Sequence, residues 1–249
     1  MPDDYQILAR IHDEIHMGGF ARNMTGRLVD YAQRNDWMGR QITDVGCGTG
    51  ASVQWLSQHG YIVTGIDKSP EMLQVAKDNL AAQGMNATMI ASDFRAVNEV
   101  KEQDMVLCLN VLNELKNIRE LEQAFQHIRG MLKDKKFFIF DMYTIEGLVM
   151  RNQAGYMLEH DDNGLTIFVK NNFDYEKSIQ ERNYIIFRQG DDGWQREEAQ
   201  RVLRAYPIQG VTALVKRSGF DVKHVLTMNM TEYSPSDSTP RIIVLAEKA

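Results

Sequence analysis

The feature that most constrains this chain is residues 41–50, Gln-Ile-Thr-Asp-Val-Gly-Cys-Gly-Thr-Gly. An apolar approach through Ile42 and Val45, interrupted by Asp44, runs into Gly46, Gly48 and Gly50. A helical pattern follows, with Val53 and Leu56 one turn apart. A strand that ends in glycines and turns into a helix brings backbone N–H groups against a ligand, with no Cβ atoms to hold it off. Such a loop suits a nucleotide-like group, and the rest of the chain reads as what completes that site.

The flanking pattern is strand then helix, repeated. Short apolar runs at 42–45, 61–66, 87–91, 105–109 and 137–140 read as strands. Between them lie helical stripes. Ser69 is a good N-cap with Pro70 behind it, Met72, Leu73, Ala76 and Leu80 form one buried face, and Gly84 ends that helix. Ile118, Leu121, Phe125, Ile128 and Leu132 form another stripe. This rhythm predicts an α/β fold: a Rossmann-like, mostly parallel seven-stranded sheet with helices on both faces and an antiparallel last strand. Ahead of it, residues 5–35 read as two helices interrupted at Gly18-Gly19, with Ile7, Leu8, Ile11 and Ile15 on one face.

From 155 to 206 the texture changes to alternating, aromatic-rich runs. Asp161-Asp162-Asn163-Gly164 and Gly190-Asp191-Asp192-Gly193 stand between them as tight turns. About three antiparallel strands are expected here, at 165–171, 182–189 and 199–206. The chain therefore divides into a main domain at 1–154 and 207–249, with residues 1–35 as an N-terminal lid, and a β insertion at 155–206 that covers the substrate. A helix ending at Gly219 and strands at 222–228 and 241–245 close the fold, with a polar loop, expected to be mobile, at 231–239.

Composition narrows the function classes. The net charge is −6 with no basic stripe, which disfavours nucleic acid as a partner. No apolar run has the length of a membrane span, and the acidic start lacks the basic, apolar pattern of a signal peptide. The two cysteines, Cys47 and Cys108, have no metal or disulfide spacing, which fits a reducing cytoplasm. A monomer or homodimer is expected.

Ligands on open α/β sheets bind at the carboxyl ends of the strands. The glycine loop, Asp67, Asp93-Phe94 and Asn110 all fall at such ends. Asp67 lies about 20 residues beyond Gly48, the spacing of an acid that accepts both ribose hydroxyls. Residues 46–51 also fit the dinucleotide pattern G-x-G-x-x-A. Two features argue against a dinucleotide. Asp44 stands where that fold needs an apolar strand residue, and the third glycine comes one residue early, opening the loop.

Asp-Val-Gly-Cys-Gly-Thr-Gly, then Gly65-Ile66-Asp67-Lys68-Ser69-Pro70-Glu71-Met72-Leu73, then Ser92-Asp93-Phe94, resembles the class I S-adenosylmethionine-dependent methyltransferases from residue 41 to about 143. The resemblance implies S-adenosylmethionine as cofactor, S-adenosylhomocysteine as product and no metal. It implies that Gly46, Cys47 and Gly48 border the methionine moiety and that Asp44 orients the loop and the amino group. Asp67 would take the ribose hydroxyls, and Lys68 and Met72 would pack near the adenine, although Lys68 departs from the apolar residue common there. Asp93 and the Phe94 N–H would meet the adenine ring, and the Leu109 and Asn110 backbone the methionine amino group. The order of elements is similar to small bacterial methyltransferases with an antiparallel insertion, including the sugar-amine N-methyltransferase-like group. In that group the N-terminal lid helix carries Tyr where this chain has His12.

Methyl transfer from a sulfonium is an in-line displacement that needs alignment and a dry site, and a general base is optional. His12, Glu114, Tyr143 and Arg204 are the candidates on the substrate side, each with a structural contact as its competing role. Tyr143, two residues past Asp141 at a strand end, is best placed. Arg204 suits a carboxylate or phosphate. His12 and His16 have a helical metal spacing, but no third ligand accompanies them. The expected activity is methyl transfer to a nitrogen or oxygen of a small molecule. The alternatives are an NAD(P)-dependent oxidoreductase and a non-catalytic cofactor-binding subunit.

Overall fold

A computed structural model describes residues 4–162 and 164–249, so Asn163 of the expected turn lies outside the described residues, as do the first three. The strands are β1 (Gln41–Val45), β2 (Ile62–Asp67), β3 (Thr88–Ala91), β4 (Gln103–Cys108), β5 (Leu132–Tyr143), β6 (Met157–Asp162), β7 (Leu165–Asp174), β8 (Ile179–Gly190), β9 (Gly193–Arg204), β10 (Phe220–Thr227) and β11 (Arg241–Lys248). The helices are α1 (Asp4–Ala9), α2 (Gly19–Arg34), α3 (Ala51–Gln58), α4 (Pro70–Ala81), α5 (Ile118–Met131), α6 (Ile145–Val149) and α7 (Ile208–Arg217).

Seven strands form one sheet in the order β10-β11-β5-β4-β1-β2-β3. β1 lies parallel to both β2 and β4, and β11 enters antiparallel between β5 and β10. The mostly parallel sheet with an antiparallel last strand is therefore present. Because side chains alternate along a strand, one face presents Phe138, Phe140 and Val244 to α5 and α7. The other presents Ile42, Leu107, Ile139 and Ile243 to α2, α3 and α4. Each fully buried apolar side chain of this kind contributes about 1.5–3 kcal/mol. The sheet reverses its strand order between the neighbours β1 and β4, and the glycine loop opens at that point.

The cap at α4 forms as its sequence dictates: Ser69 Oγ accepts from the Met72 N–H at 3.2 Å, with Pro70 at the first helical position. The chain turns at Gly84 and again at Gly219, where φ is +66° and +87°.

The insertion is a four-stranded antiparallel sheet, β6-β7-β8-β9, one strand more than expected. β6 is mostly exposed, so its sequence carries no inward–outward alternation to reveal it. The inner face of the sheet runs through Leu165, Ile167, Val169, Tyr184, Ile186 and Ala199, which pack on Leu8, Ile11 and Ile15 of the N-terminal segment.

That segment also departs from expectation. After α1, residues 10–18 form a series of turns with His16 at φ +54° rather than a continuous helix. α2 packs into the main core through Met24, Leu28, Val29 and Ala32, and its first turn reaches the site through Ala21. α1 and the turns cover the site beside it. Residues 231–239 are tied down, with Tyr233 N–H donating to Val225 O at 2.7 Å and Thr239 buried. Among the described residues no helix is long and apolar enough to cross a membrane.

Candidate active site

A cavity of about 300 Å³ opens at the carboxyl ends of β1, β2, β3 and β4. Every residue the sequence assigned to the cofactor lines it: Asp44, Gly46, Cys47, Gly48, Asp67, Lys68, Met72, Asp93, Phe94, Leu109 and Asn110.

The glycine loop is held from below. Gly46 and Cys47 N–H groups donate to Ile66 O at 2.7 and 3.1 Å. Gly46 sits at φ +69°, and a Cβ there would lie 2.2 Å from Val111 Cγ2, so both conformation and space require glycine. Gly50 is the N-cap of α3 and supplies no side chain, leaving the helix's first N–H groups to a ligand. Ala51 and Ser52 of that first turn line the cavity.

Two carboxylates meet in the floor. Asp67 Oδ2 accepts from Gly48 N–H at 2.9 Å, and its Oδ1 accepts from Ser69 N–H at 2.9 Å. Burial nevertheless raises its pKa, with the Ser69 and Gly48 N–H groups opposing the rise. Asp44 is 3 % exposed and makes no side-chain hydrogen bond or ion pair among the described residues. Burial, with Asp67 adding to it, pushes the Asp44 carboxyl up to about 8. Burial and then Asp44 push the Cys47 thiol well up, so it is not a nucleophile at neutral pH.

At the far end, Asp93 caps the turn Phe94–Ala96 and is gripped by Arg95, whose Nη2 lies 2.6 Å from Oδ2. That bond holds the Asp93 carboxyl below its usual range. Arg95 also reaches Glu120 at 3.1 Å. Lys68 Nζ stands 4.7 Å from the centre of the Tyr5 ring.

The substrate-side candidates separate. His12 lines the cavity but on the glycine-loop side: its Nδ1 is 3.0 Å from Thr49 Oγ1, and its Nε2 would be 3.6 Å from a Cβ built on Gly48. Its place is therefore not beside Tyr143. Arg204 is outside the cavity, with Nη1 donating to Lys177 O at 2.8 Å at the end of the insertion. Strand alternation explains this: on β9 Ala199, Arg201 and Leu203 face inward, so Arg204 falls on the other side. The arginine that the insertion contributes to the cavity is Arg201, which the sequence reading missed although the same period-2 count points to it. Arg201 pairs with Glu114, which also accepts from Tyr5 Oη, so α1, the turn after β4 and the insertion close over one carboxylate. Among the described residues no group of three or more His, Cys, Asp or Glu could hold a metal.

Tyr143 lies beyond this roof. Its Oη accepts from Arg151 Nη1 at 2.5 Å, and the Arg241 guanidinium stacks 3.9 Å from its ring centre and 3.9 Å from that of Phe20. Burial pushes the Tyr143 phenol up, but Arg241 and Arg151 outweigh it and hold it below its ordinary value. Arg241 in turn pairs with the buried Asp141 at 2.9 Å, whose Oδ1 accepts from Asn110 N–H at 2.7 Å. That bond holds Asn110 in the cavity wall at φ +64°.

Residues 42–135 match the family model described as a methyltransferase domain. A chain from Geobacillus sp. (strain WCH70), provisionally named a methyltransferase, is 26 % identical over 84 % of this chain and 85 % of its own length. An S-adenosylmethionine-dependent methyltransferase from Clostridium acetobutylicum has the same fold, at a TM-score of 0.83, 19 % identity and 98 % coverage of both chains. CalS10 of Micromonospora echinaspora, an amino pentose methyltransferase solved with S-adenosylmethionine bound, gives 0.75 at 17 % identity over 96 % of this chain and 97 % of its own. Residues 42–135 thus carry a methyltransferase domain, the chain shares the fold of S-adenosylmethionine-dependent methyltransferases, and the dinucleotide-oxidoreductase alternative is set aside.

Proposed function

We propose that this methyltransferase moves a methyl group to a nitrogen or oxygen of a small-molecule acceptor held between the cofactor cavity and the insertion. The observation that carries the cofactor assignment is the acidic floor: a buried carboxyl, Asp44, without a protein partner and a second, Asp67, beside it. A buried carboxylate needs a positive partner. An ammonium or sulfonium supplies one. A dinucleotide would bring pyrophosphate into the same space, where like charge repels.

S-adenosylmethionine supplies, when bound, an activated methyl group on a positively charged sulfur. In this reading Asp67 takes the ribose hydroxyls with the lone pairs its two N–H donors leave free. Asp44 ionises as it meets the amino group. The uncapped start of α3 receives the carboxylate. Phe94 and Asp93 border the adenine, with Arg95 sharing Asp93. The Leu109 and Asn110 backbone, fixed from behind by Asp141, faces the methionine end. The chain's part in the chemistry is alignment and exclusion of water. α1, the following turns and the insertion form the cover, and Tyr143, beside that cover though outside the cavity lining, is the acceptor-side hydroxyl of this reading. N-methylation and O-methylation are both open to this site.

The test is transfer of labelled methyl from S-adenosylmethionine to a panel of small amines, alcohols, phenols and acids, run beside RNA and protein extracts. Label in the small-molecule fraction supports the reading. Label confined to macromolecules, or cofactor binding with no transfer anywhere, contradicts it.

A further inference from the structure

Beyond the cofactor cavity, the inner face of the insertion gathers more positive charge than the protein neutralises. Arg182 on β8 and Arg201 on β9 are directly paired across the sheet, and both face inward. Like charges in that position destabilise a sheet unless anions lie between or beside them. Arg182 has Glu159 at 2.8 Å, Arg201 has Glu114, and Arg241 has Asp141. Among the described residues Arg151 alone of this group has no carboxylate. Its one side-chain hydrogen bond goes to the Tyr143 hydroxyl.

The wall around it is unfinished as well. Tyr184 is 1 % exposed and its hydroxyl has no partner, and Asn171, 2 % exposed, leaves its amide oxygen unbonded. Buried polar atoms of this kind are normally bonded, and an orphan calls for an explanation. Tyr184 is close enough to both Arg151 and Arg201 to affect their ionisation, and Arg182 lies 5.3 Å from its ring centre. Arg151 and Tyr143 are only partly buried, and the enclosed Tyr184 hydroxyl lies near the guanidinium.

We propose that Arg151, with the Tyr184 hydroxyl, binds an acid group of the methyl acceptor, a carboxylate or a phosphate monoester. The planar guanidinium matches either group. The position is suitable: Tyr143, which holds Arg151, lies two residues beyond Asp141, the residue that fixes Asn110 in the cofactor wall. This inference rests on the methyltransferase reading and adds the chemical class of its acceptor.

The experiment titrates three probes with one ring and different head groups, namely benzoate, phenyl phosphate and benzamide, into the full chain saturated with S-adenosylhomocysteine. Wild type, Arg151→Gln, Arg151→Lys and Tyr184→Phe are compared by calorimetry. The expected result is binding of at least one anion and not of benzamide, weakened about 10- to 100-fold by Arg151→Gln, in part restored by Arg151→Lys, and weakened less by Tyr184→Phe. Preference for benzoate or phenyl phosphate assigns the acid group. S-adenosylhomocysteine affinity should be equal in all four proteins, which shows each variant folded. If no anion binds wild type, or Arg151→Gln binds as well, the proposal is overturned and Arg151 serves Tyr143 alone. If S-adenosylhomocysteine itself fails to bind wild type, the underlying methyltransferase reading fails instead.

Discussion

The two walls of this site are made of different material. The proposed cofactor wall is backbone: glycines at positive φ, an uncapped helix start, and N–H groups gathered on Asp67. The proposed acceptor wall is side chain: arginines, tyrosines and amides on an antiparallel sheet, balanced against a few carboxylates. The first is acidic in its floor and the second basic. A backbone cradle is tied to a short stretch of sequence and fits one ligand shape. A side-chain wall on alternating strands is changed by any single substitution, which is how one fold serves many acceptors.

If the walls are separate in function, substitutions in each should move different observables. The largest effect is expected from Asp67→Ala, which removes the proposed ribose acceptor and also releases the Gly48 and Ser69 N–H groups. S-adenosylhomocysteine affinity should fall about 100-fold or more by calorimetry, with the far-UV circular dichroism retained. Unchanged affinity would remove Asp67 from the cofactor site.

Arg201→Met should come next. It leaves Glu114 and Tyr5 in the roof without their cation and should lower unfolding free energy by about 3 kcal/mol in urea. A Glu114→Gln/Arg201→Met double variant should recover part of that loss. If the double variant is as unstable as the single, the pair does not hold the roof.

Asp44→Asn tests the acidic floor through pH. Its folded pKa is raised, so the protonated form is favoured by folding, and the stabilisation is present below the unfolded carboxylate range. It is lost as pH rises through about 8. Without ligand, the variant should therefore gain on wild type as pH rises from about 4 to 8, by about 1–3 kcal/mol at neutral pH. With S-adenosylmethionine the order should reverse, because binding uses the charge. Parallel pH–stability curves would show that Asp44 is not a strained carboxyl.

Tyr143→Phe should lower turnover about tenfold while cofactor affinity stays within about twofold, the split expected of an acceptor-side group. An unchanged rate leaves Tyr143 as a prop for Arg151. Arg204→Ala should do least, under about 0.5 kcal/mol in stability and nothing in kinetics, since its guanidinium bonds a carbonyl outside the cavity.

The cofactor wall was legible because its chemistry is written in consecutive residues. Asp44 and the early third glycine distinguished it from a dinucleotide loop, and Ser69-Pro70 marked the helix beyond Asp67. The acceptor wall was not, because its members come from distant segments: Tyr5, Glu114, Tyr143, Arg151, Arg182, Tyr184 and Arg201 meet only when the insertion folds back. Arg201 and Arg204 fall on opposite faces of β9, and only the parity of that strand tells them apart. β6 escaped notice because an exposed strand has no buried face to impose alternation. In the N-terminal segment the apolar spacing of Leu8, Ile11 and Ile15 was real, but the residues pack on the insertion through turns rather than a helix.

The most direct test of the central claim is thermal unfolding of the wild-type chain with S-adenosylhomocysteine and, separately, with NADH at equal concentration. An acidic cradle built for an ammonium and a ribose predicts stabilisation by S-adenosylhomocysteine, about 2.7 kcal/mol at a hundred times its dissociation constant, and none by NADH. Stabilisation by NADH with no effect of S-adenosylhomocysteine would contradict it.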